Sequence, residues 1–295
     1  MMATAARVAV APISWGVCEV PGWGHQLAPE RVLGEMRALG VAATEFGPPG
    51  FLPADPARRS DVLRAHGMRA VGGFLAVVLH DAGRDPMPQV EAELDAFVTA
   101  GADTLVLAAA TGRAGYDERD VLTGDQWRTL VGHLAAIAAR AADRGVRATL
   151  HPHVGTMVEG PDEVARVLDA SAVPLCLDTG HLLAGGSDPV ALARDAASRI
   201  GHVHLKDVRA DLVAHLRDGS LAYTDAVRKG LYAPLGTGDV DVAAIVVALE
   251  AAGYDGWYVL EQDCVLDAEP PAGAGPRDDV AASLAFLGGL LAEEP

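Results

Sequence analysis

Asparagine is absent from the 295 residues, lysine occurs only at Lys206 and Lys229, and aromatic residues make up just 5 % of the chain. Arginine takes most of the positive surface positions, so a lysine inside an apolar segment stands out. Cysteine occurs three times, at Cys18, Cys176 and Cys264, and this odd, scattered set argues against a disulfide framework. Apolar runs fall short of a membrane span; the run from Val240 to Leu249 stops at Glu250 and reads as a buried helix. Arg7 has beside it no run with the length and flanks of a signal peptide, so the expected location is cytoplasmic. Basic residues are also short, 23 against 40 acidic, for a formal charge of −17. That field repels nucleic acid and anionic membranes and leaves a small neutral substrate as the expected partner. A homo-oligomer is left open.

What the chain does have is alternation. Short β-rich runs are expected at Val8–Ile13, Ala42–Phe46, Arg69–Val77, Thr104–Ala108, Arg147–His151, Pro174–Asp178, Ile200–Leu205 and Trp257–Gln262. Ala/Leu/Arg helical patterns fill the gaps at Pro29–Leu39, Pro56–His66, Pro88–Ala100, Asp125–Asp143, Pro161–Asp169, Asp188–Ser198, Val240–Ala251 and Asp278–Leu291. Pro29, Pro161 and Pro189 sit near helix starts, and Gly40, Gly67, Gly101, Gly145 and Gly253 follow helix ends, as caps do. Eight strands, each followed by a helix, predict an α/β fold: a (β/α)8 TIM barrel forming one domain over residues 1–295. Val208–Leu235, after the seventh strand, is too long for an ordinary loop, and its spaced Leu and Val residues predict one or two extra helices over the barrel mouth.

Four segments place a metal-binding or acid–base residue at the end of an apolar run: Ala148–His153, Leu175–His181, Ile200–Asp207 and Trp257–Asp263. In a barrel these strand ends are neighbours, so Asp178, His204 and Glu261 converge, and the fifth strand offers His151 or His153 as a fourth ligand. Carboxylate oxygen with imidazole nitrogen suits a divalent ion such as Mn²⁺, Co²⁺ or Zn²⁺. His202 alternates with His204 deeper in the barrel and reads as a buried, hydrogen-bonded histidine; Lys206 is expected above the metal, with Asp207 pointing away. His181, with Gly180 allowing a sharp turn, is an acid–base candidate, and so is Glu45 across the barrel, as a base or a partner for a substrate hydroxyl. Gly236-Thr-Gly238, with no basic neighbour, reads as a turn with Asp239 as the N-cap of the next helix.

Ala11–Gly16, Thr44–Gly47, His151–Thr156, Leu177–Leu182, His202–Asp207, Tyr223–Gly230 and Gly253–Asp263 together resemble inosose (2-keto-myo-inositol) dehydratases, within the xylose isomerase-like barrel superfamily of sugar isomerases, epimerases and dehydratases. The resemblance spans nearly the whole chain. It implies a divalent metal on the ends of strands five to eight, with Asp178, His204 and Glu261 at the last three ligand positions and His151 where many relatives carry Glu. It further implies dehydration of a cyclic keto-polyol through an enediolate, with His181, His153 and Glu45 as candidate bases and Lys206 or a histidine protonating the departing hydroxyl. An isomerase or epimerase would use the same metal site without losing water. A lyase subunit requiring a partner chain, an abasic-site endonuclease and a sugar-binding protein without turnover are the other readings, and the charge of −17 opposes the endonuclease.

Overall fold

The computed structural model describes residues 7–113 and 115–292; the remaining residues of the expected 1–295 unit lie outside them. Eight parallel strands close into a barrel: β1 (Val8–Val10), β2 (Ala43–Glu45), β3 (Arg69–Val77), β4 (Thr104–Ala109), β5 (Arg147–Leu150), β6 (Leu175–Asp178), β7 (Ile200–Leu205) and β10 (Tyr258–Leu260). Closure is made by β1, which pairs with β2 on one side and with β10 on the other, Val8 facing Tyr258. All eight lie at the expected positions: β3 and β7 match, β4 runs one residue longer, and the others are trimmed by up to three residues at their ends.

Strand parity sorts the side chains. Val10, Leu150, Leu177, Val203, Leu205, Tyr258 and Leu260 join the large cluster between strands and helices, whereas Ala9, Ala11, Ala43, Val71 and Val259 form a second cluster with Trp257. The helices bury one stripe each: in α4 (Gly124–Asp143) Trp127, Leu130, Leu134, Ile137 and Ala141 recur every three or four residues. That helix starts on a capping box, Thr123 with Gln126, and Gly101 ends α3 (Met87–Ala100) at φ 73°, where a Cβ would be strained. Next to the start of β1, Arg7 bonds Tyr254 O and Gly256 O at 2.9 Å each and pairs with Glu250 at 2.7 Å, tying it to the last helix–strand unit.

The insertion after β7 holds two helices, α8 (Ala210–Arg217) and α9 (Tyr223–Arg228), as expected, plus an unforeseen antiparallel pair, β8 (Asp207–Val208) with β9 (Tyr232–Ala233). Gly236-Thr-Gly238 is indeed a turn, but the next helix, α10 (Val242–Ala251), is capped by Asp241, while Asp239 accepts from Ala210 N at the start of α8. The turn serves Asp207, whose carboxylate accepts from Gly236 N and Gly238 N at 2.9 Å and from Val208 N and Val240 N at 3.0 Å. Among the described residues no helix is long and apolar enough to cross a membrane.

Candidate functional site

The C-terminal ends of β5, β6, β7 and β10 bring one donor atom each from His151, Asp178, His204 and Glu261 within 4.8 Å of one another. His151 Nε2 is 3.2 Å from Asp178 Oδ2; His204 Nδ1 is 2.9 Å from Glu261 Oε2 and 3.7 Å from Asp178 Oδ2. Neither His204 Nδ1 nor His151 Nδ1 has a hydrogen-bond partner, although both are buried. The unpartnered His204 Nδ1 and the His151 Nε2, beside two carboxylates at separations close to the edges of a coordination polyhedron, fit a divalent ion of the Mn²⁺, Co²⁺ or Zn²⁺ type. Burial alone would raise the Asp178 carboxyl, but the Lys206 ammonium and His181 overcome it and hold it well below the usual range. Glu261 is held at about 2 in the same way, by His204 and Lys206 against its burial. Both are therefore ionised ligands-in-waiting at neutral pH.

His153 is not in this group. Its ring stacks on His181, centroids 3.6 Å apart, and its Nδ1 bonds Val154 O at 2.6 Å. Asp178 caps α6 (Thr179–Gly185) by accepting His181 N at 2.7 Å, so His181 is set on a helix rather than on a sharp turn. Gly180 is needed for a different reason than the one expected: a Cβ there would come within 2.6 Å of Lys206 Cβ and 2.8 Å of Tyr232 Cε1. His181 Nδ1 accepts from Val154 N at 3.4 Å. Burial depresses both imidazoles, His153 to about 3 with help from His151, and His181 well below 6.5 with help from His153. The two rings are neutral.

Lys206 is buried beside the cluster and lines the cavity. Its Nζ is 3.1 Å from Asp178 Oδ2 and 3.1 Å from Asp263 Oδ1 and also contacts Glu261 Oε2. Burial works against the ammonium, but these carboxylates win and raise its pKa well above 10.5. Glu45 comes from across the barrel and meets imidazoles: its Oε1 is 2.9 Å from His202 Nε2 and 3.1 Å from His204 Nε2. His202 is thus hydrogen-bonded and buried, as its position below His204 suggests.

Reasoning from sequence missed Asp263, Tyr223, Tyr232 and Tyr116. Asp263 Oδ2 accepts from Tyr223 Oη at 2.9 Å, Tyr223 Oη is 3.1 Å from Tyr232 Oη, and Tyr232 Oη is 3.4 Å from His181 Nδ1. Asp263 ends a segment whose other members were singled out, which was the available signal; burial raises its carboxyl above the ordinary value. Tyr223 arrives on α9, whose start is held by Asp117 accepting Tyr223 N at 3.0 Å, and its ring lies 5.2 Å from Tyr116. A cavity of about 220 Å³ opens above the donors, lined by His151, His153, His181, Lys206, Glu261 and Asp263 with Trp23, Phe74, Tyr116 and Tyr223 as walls. It holds groups that ligate, accept protons and donate them, inside an aromatic enclosure large enough for one six-membered ring.

Residues 33–288 match the family described as the xylose isomerase-like TIM barrel. The chain is 35 % identical over 268 residues to the rhizopine catabolism protein MocC of Rhizobium meliloti, covering 87 % of this chain and 81 % of that one. It is 33 % identical over 288 residues to the inosose dehydratase of Geobacillus kaustophilus, with 92 % and 90 % covered. A solved L-ribulose 3-epimerase superposes with a TM-score of 0.70 at 18 % identity, covering 97 % of this chain and 94 % of that one, a likeness of fold. Barrel topology, family match and these relatives agree: the chain is an inosose dehydratase-like member of the xylose isomerase-like TIM barrel family.

Proposed function

We propose that the protein is a metal-dependent hydro-lyase acting on a cyclic keto-polyol of the 2-keto-myo-inositol type. The observation that carries this reading is the convergence of His151, Asp178, His204 and Glu261 within 4.8 Å at the floor of the aromatic cavity. The inosose dehydratase of Geobacillus kaustophilus, alike over 92 % of this chain, supports the substrate class. A divalent ion held by these four residues would supply Lewis acidity to a substrate carbonyl and stabilise the charge that builds on its oxygen.

The remaining roles follow from hydrogen-bond directions. His153 donates from Nδ1 to Val154 O, so its neutral ring has a bare Nε2 that can take the proton α to the carbonyl. His181 accepts Val154 N–H at Nδ1, so its Nε2 carries hydrogen and can donate to a substrate oxygen. Lys206 is the buried cation that can give a proton to the departing hydroxyl, and Asp263, outside the four donors, is the partner that retains it. Tyr223 keeps Asp263 in place. Stacked at 3.6 Å, the two imidazoles occupy one side of the cavity; inverting a carbon centre needs proton transfer on both faces, so the arrangement favours elimination over epimerisation.

The test is incubation of the Mn²⁺- or Co²⁺-loaded protein with a panel of inososes and ketoses, followed by mass. Loss of one water supports the dehydratase; turnover to products of unchanged mass would make it an isomerase or epimerase. Asp178→Ala and Glu261→Ala should lose metal and turnover together, and unchanged metal content in both would remove the metal site.

A further inference from the structure

One buried acid of the cavity lining stands outside the four converging donors. Glu45, only 2 % exposed, comes from β2, and β1 and β10 separate that strand from β7. Ala43 belongs to the inward-facing cluster, and two-residue alternation along β2 puts Glu45 on the same lumen side. There Glu45 Oε1 stands 2.9 Å from His202 Nε2 and 3.1 Å from His204 Nε2. An ionised carboxylate only accepts, so both nitrogens bond it as N–H donors. In a neutral His204 ring that leaves Nδ1 bare, and Nδ1 is the atom lying 2.9 Å from Glu261 Oε2 with no hydrogen bond of its own.

We infer that Glu45 is a positioning residue: by accepting the Nε2 hydrogen of His204 it selects the tautomer and ring orientation that present Nδ1 to a divalent cation, with His202 holding Glu45 on the far side. The carboxylate–histidine–metal arrangement is a general device for aiming and strengthening an imidazole ligand. The inference rests on the metal reading above. Glu45, His202 and His204 also have donor atoms within 4.8 Å of one another, so a second ion sharing His204 is the competing account, and metal stoichiometry separates the two.

The experiment titrates metal-stripped wild type, Glu45→Gln and Glu45→Ala with Zn²⁺ and Co²⁺. It records equivalents bound, affinity, the Co²⁺ visible spectrum and the His204 tautomer by long-range ¹H–¹⁵N correlation in the Zn²⁺-loaded protein. Expected are one equivalent and an Nε2–H His204 in wild type. Glu45→Ala should bind about 10- to 100-fold more weakly with a changed tautomer signal and Co²⁺ spectrum. Glu45→Gln, which keeps an acceptor oxygen without the charge, should fall between. Affinity, spectrum and tautomer unchanged in Glu45→Ala overturn the inference, as does a second equivalent that the Glu45 variants lose. Should Glu45→Ala not fold, unchanged affinity in Glu45→Gln overturns it equally. Wild type that binds no metal fails the metal reading itself, a result distinct from wild type and variants binding alike.

Discussion

Acidifying the metal-free protein from pH 7.5 to 5.5 should cost up to about 3 kcal/mol of stability, a figure that follows from four buried histidines. His153, His181 and His202 have pKa values pushed below 6.5, chiefly by burial. Each stays neutral in the fold, while its unfolded counterpart takes a proton as the pH drops through about 6.5, so each withdraws about 1.4 kcal/mol across the window. His204 runs the other way. Burial disfavours its charge, but Cys176, Glu261 and Glu45 raise its pKa well above 6.5. Its contribution is complete below 6.5 and lost as pH rises, so acidification restores about 1.4 kcal/mol and leaves a net loss of about 3. Asp263, raised by burial, shares the sign of His204 and subtracts from that loss. Asp178 and Glu261 are depressed, so their contribution is present above about 4 and lost only at lower pH. Urea unfolding of EDTA-treated protein at the two pH values, with equal slopes, measures the difference. Stability that is greater at pH 5.5 would refute the assignment of three neutral imidazoles in the barrel.

Other substitutions address the supports. Asp207→Ala leaves the four N–H groups of Val208, Gly236, Gly238 and Val240 without their acceptor and should destabilise by about 2–4 kcal/mol in urea, an unchanged midpoint counting against the cradle. Gly180→Ala drives a methyl into Lys206 and Tyr232 and should lose about 1–3 kcal/mol together with activity; wild-type behaviour would show that Lys206 can move freely. Tyr223→Phe removes the hydroxyl on Asp263 and should lower kcat on the order of 10-fold with little change in KM, and equal single-turnover rates would release Asp263 from its assigned role.

The barrel was legible because each strand is buried on both faces and reads as a short apolar run, while proline and glycine punctuate the helices. The residues at strand ends were legible for the same reason: parity places Asp178, His204 and Glu261 on the lumen side once the strands are known. What sequence could not show was pairing across the lumen. Nothing local announces that Glu45, on the lumen side of β2, meets the imidazole of His204 159 positions away. The same holds for Lys206, whose pairing with three carboxylates from the ends of two other strands has no local signature. Tyr223 lay in an insertion whose Leu and Val spacing spoke of packing, so its hydroxyl on Asp263 had no signature. Helix α6 was hidden by brevity, at seven residues.

The seam between β1 and β10 has a consequence for how the chain acquires its chemistry. Val8 pairs with Tyr258, and Arg7 reaches Tyr254 and Gly256 across sequence separations of 247 and 249 residues. Contacts of that separation are late in folding, because loop closure must precede them. During synthesis the first strand therefore waits, edge unpaired, until nearly the whole chain has left the ribosome. Glu261 follows directly on the strand that closes the seam, so it reaches His151, Asp178 and His204 in that same step. A nascent chain offers an incomplete set of ligands and binds metal weakly. Full coordination becomes a report that the ring is shut.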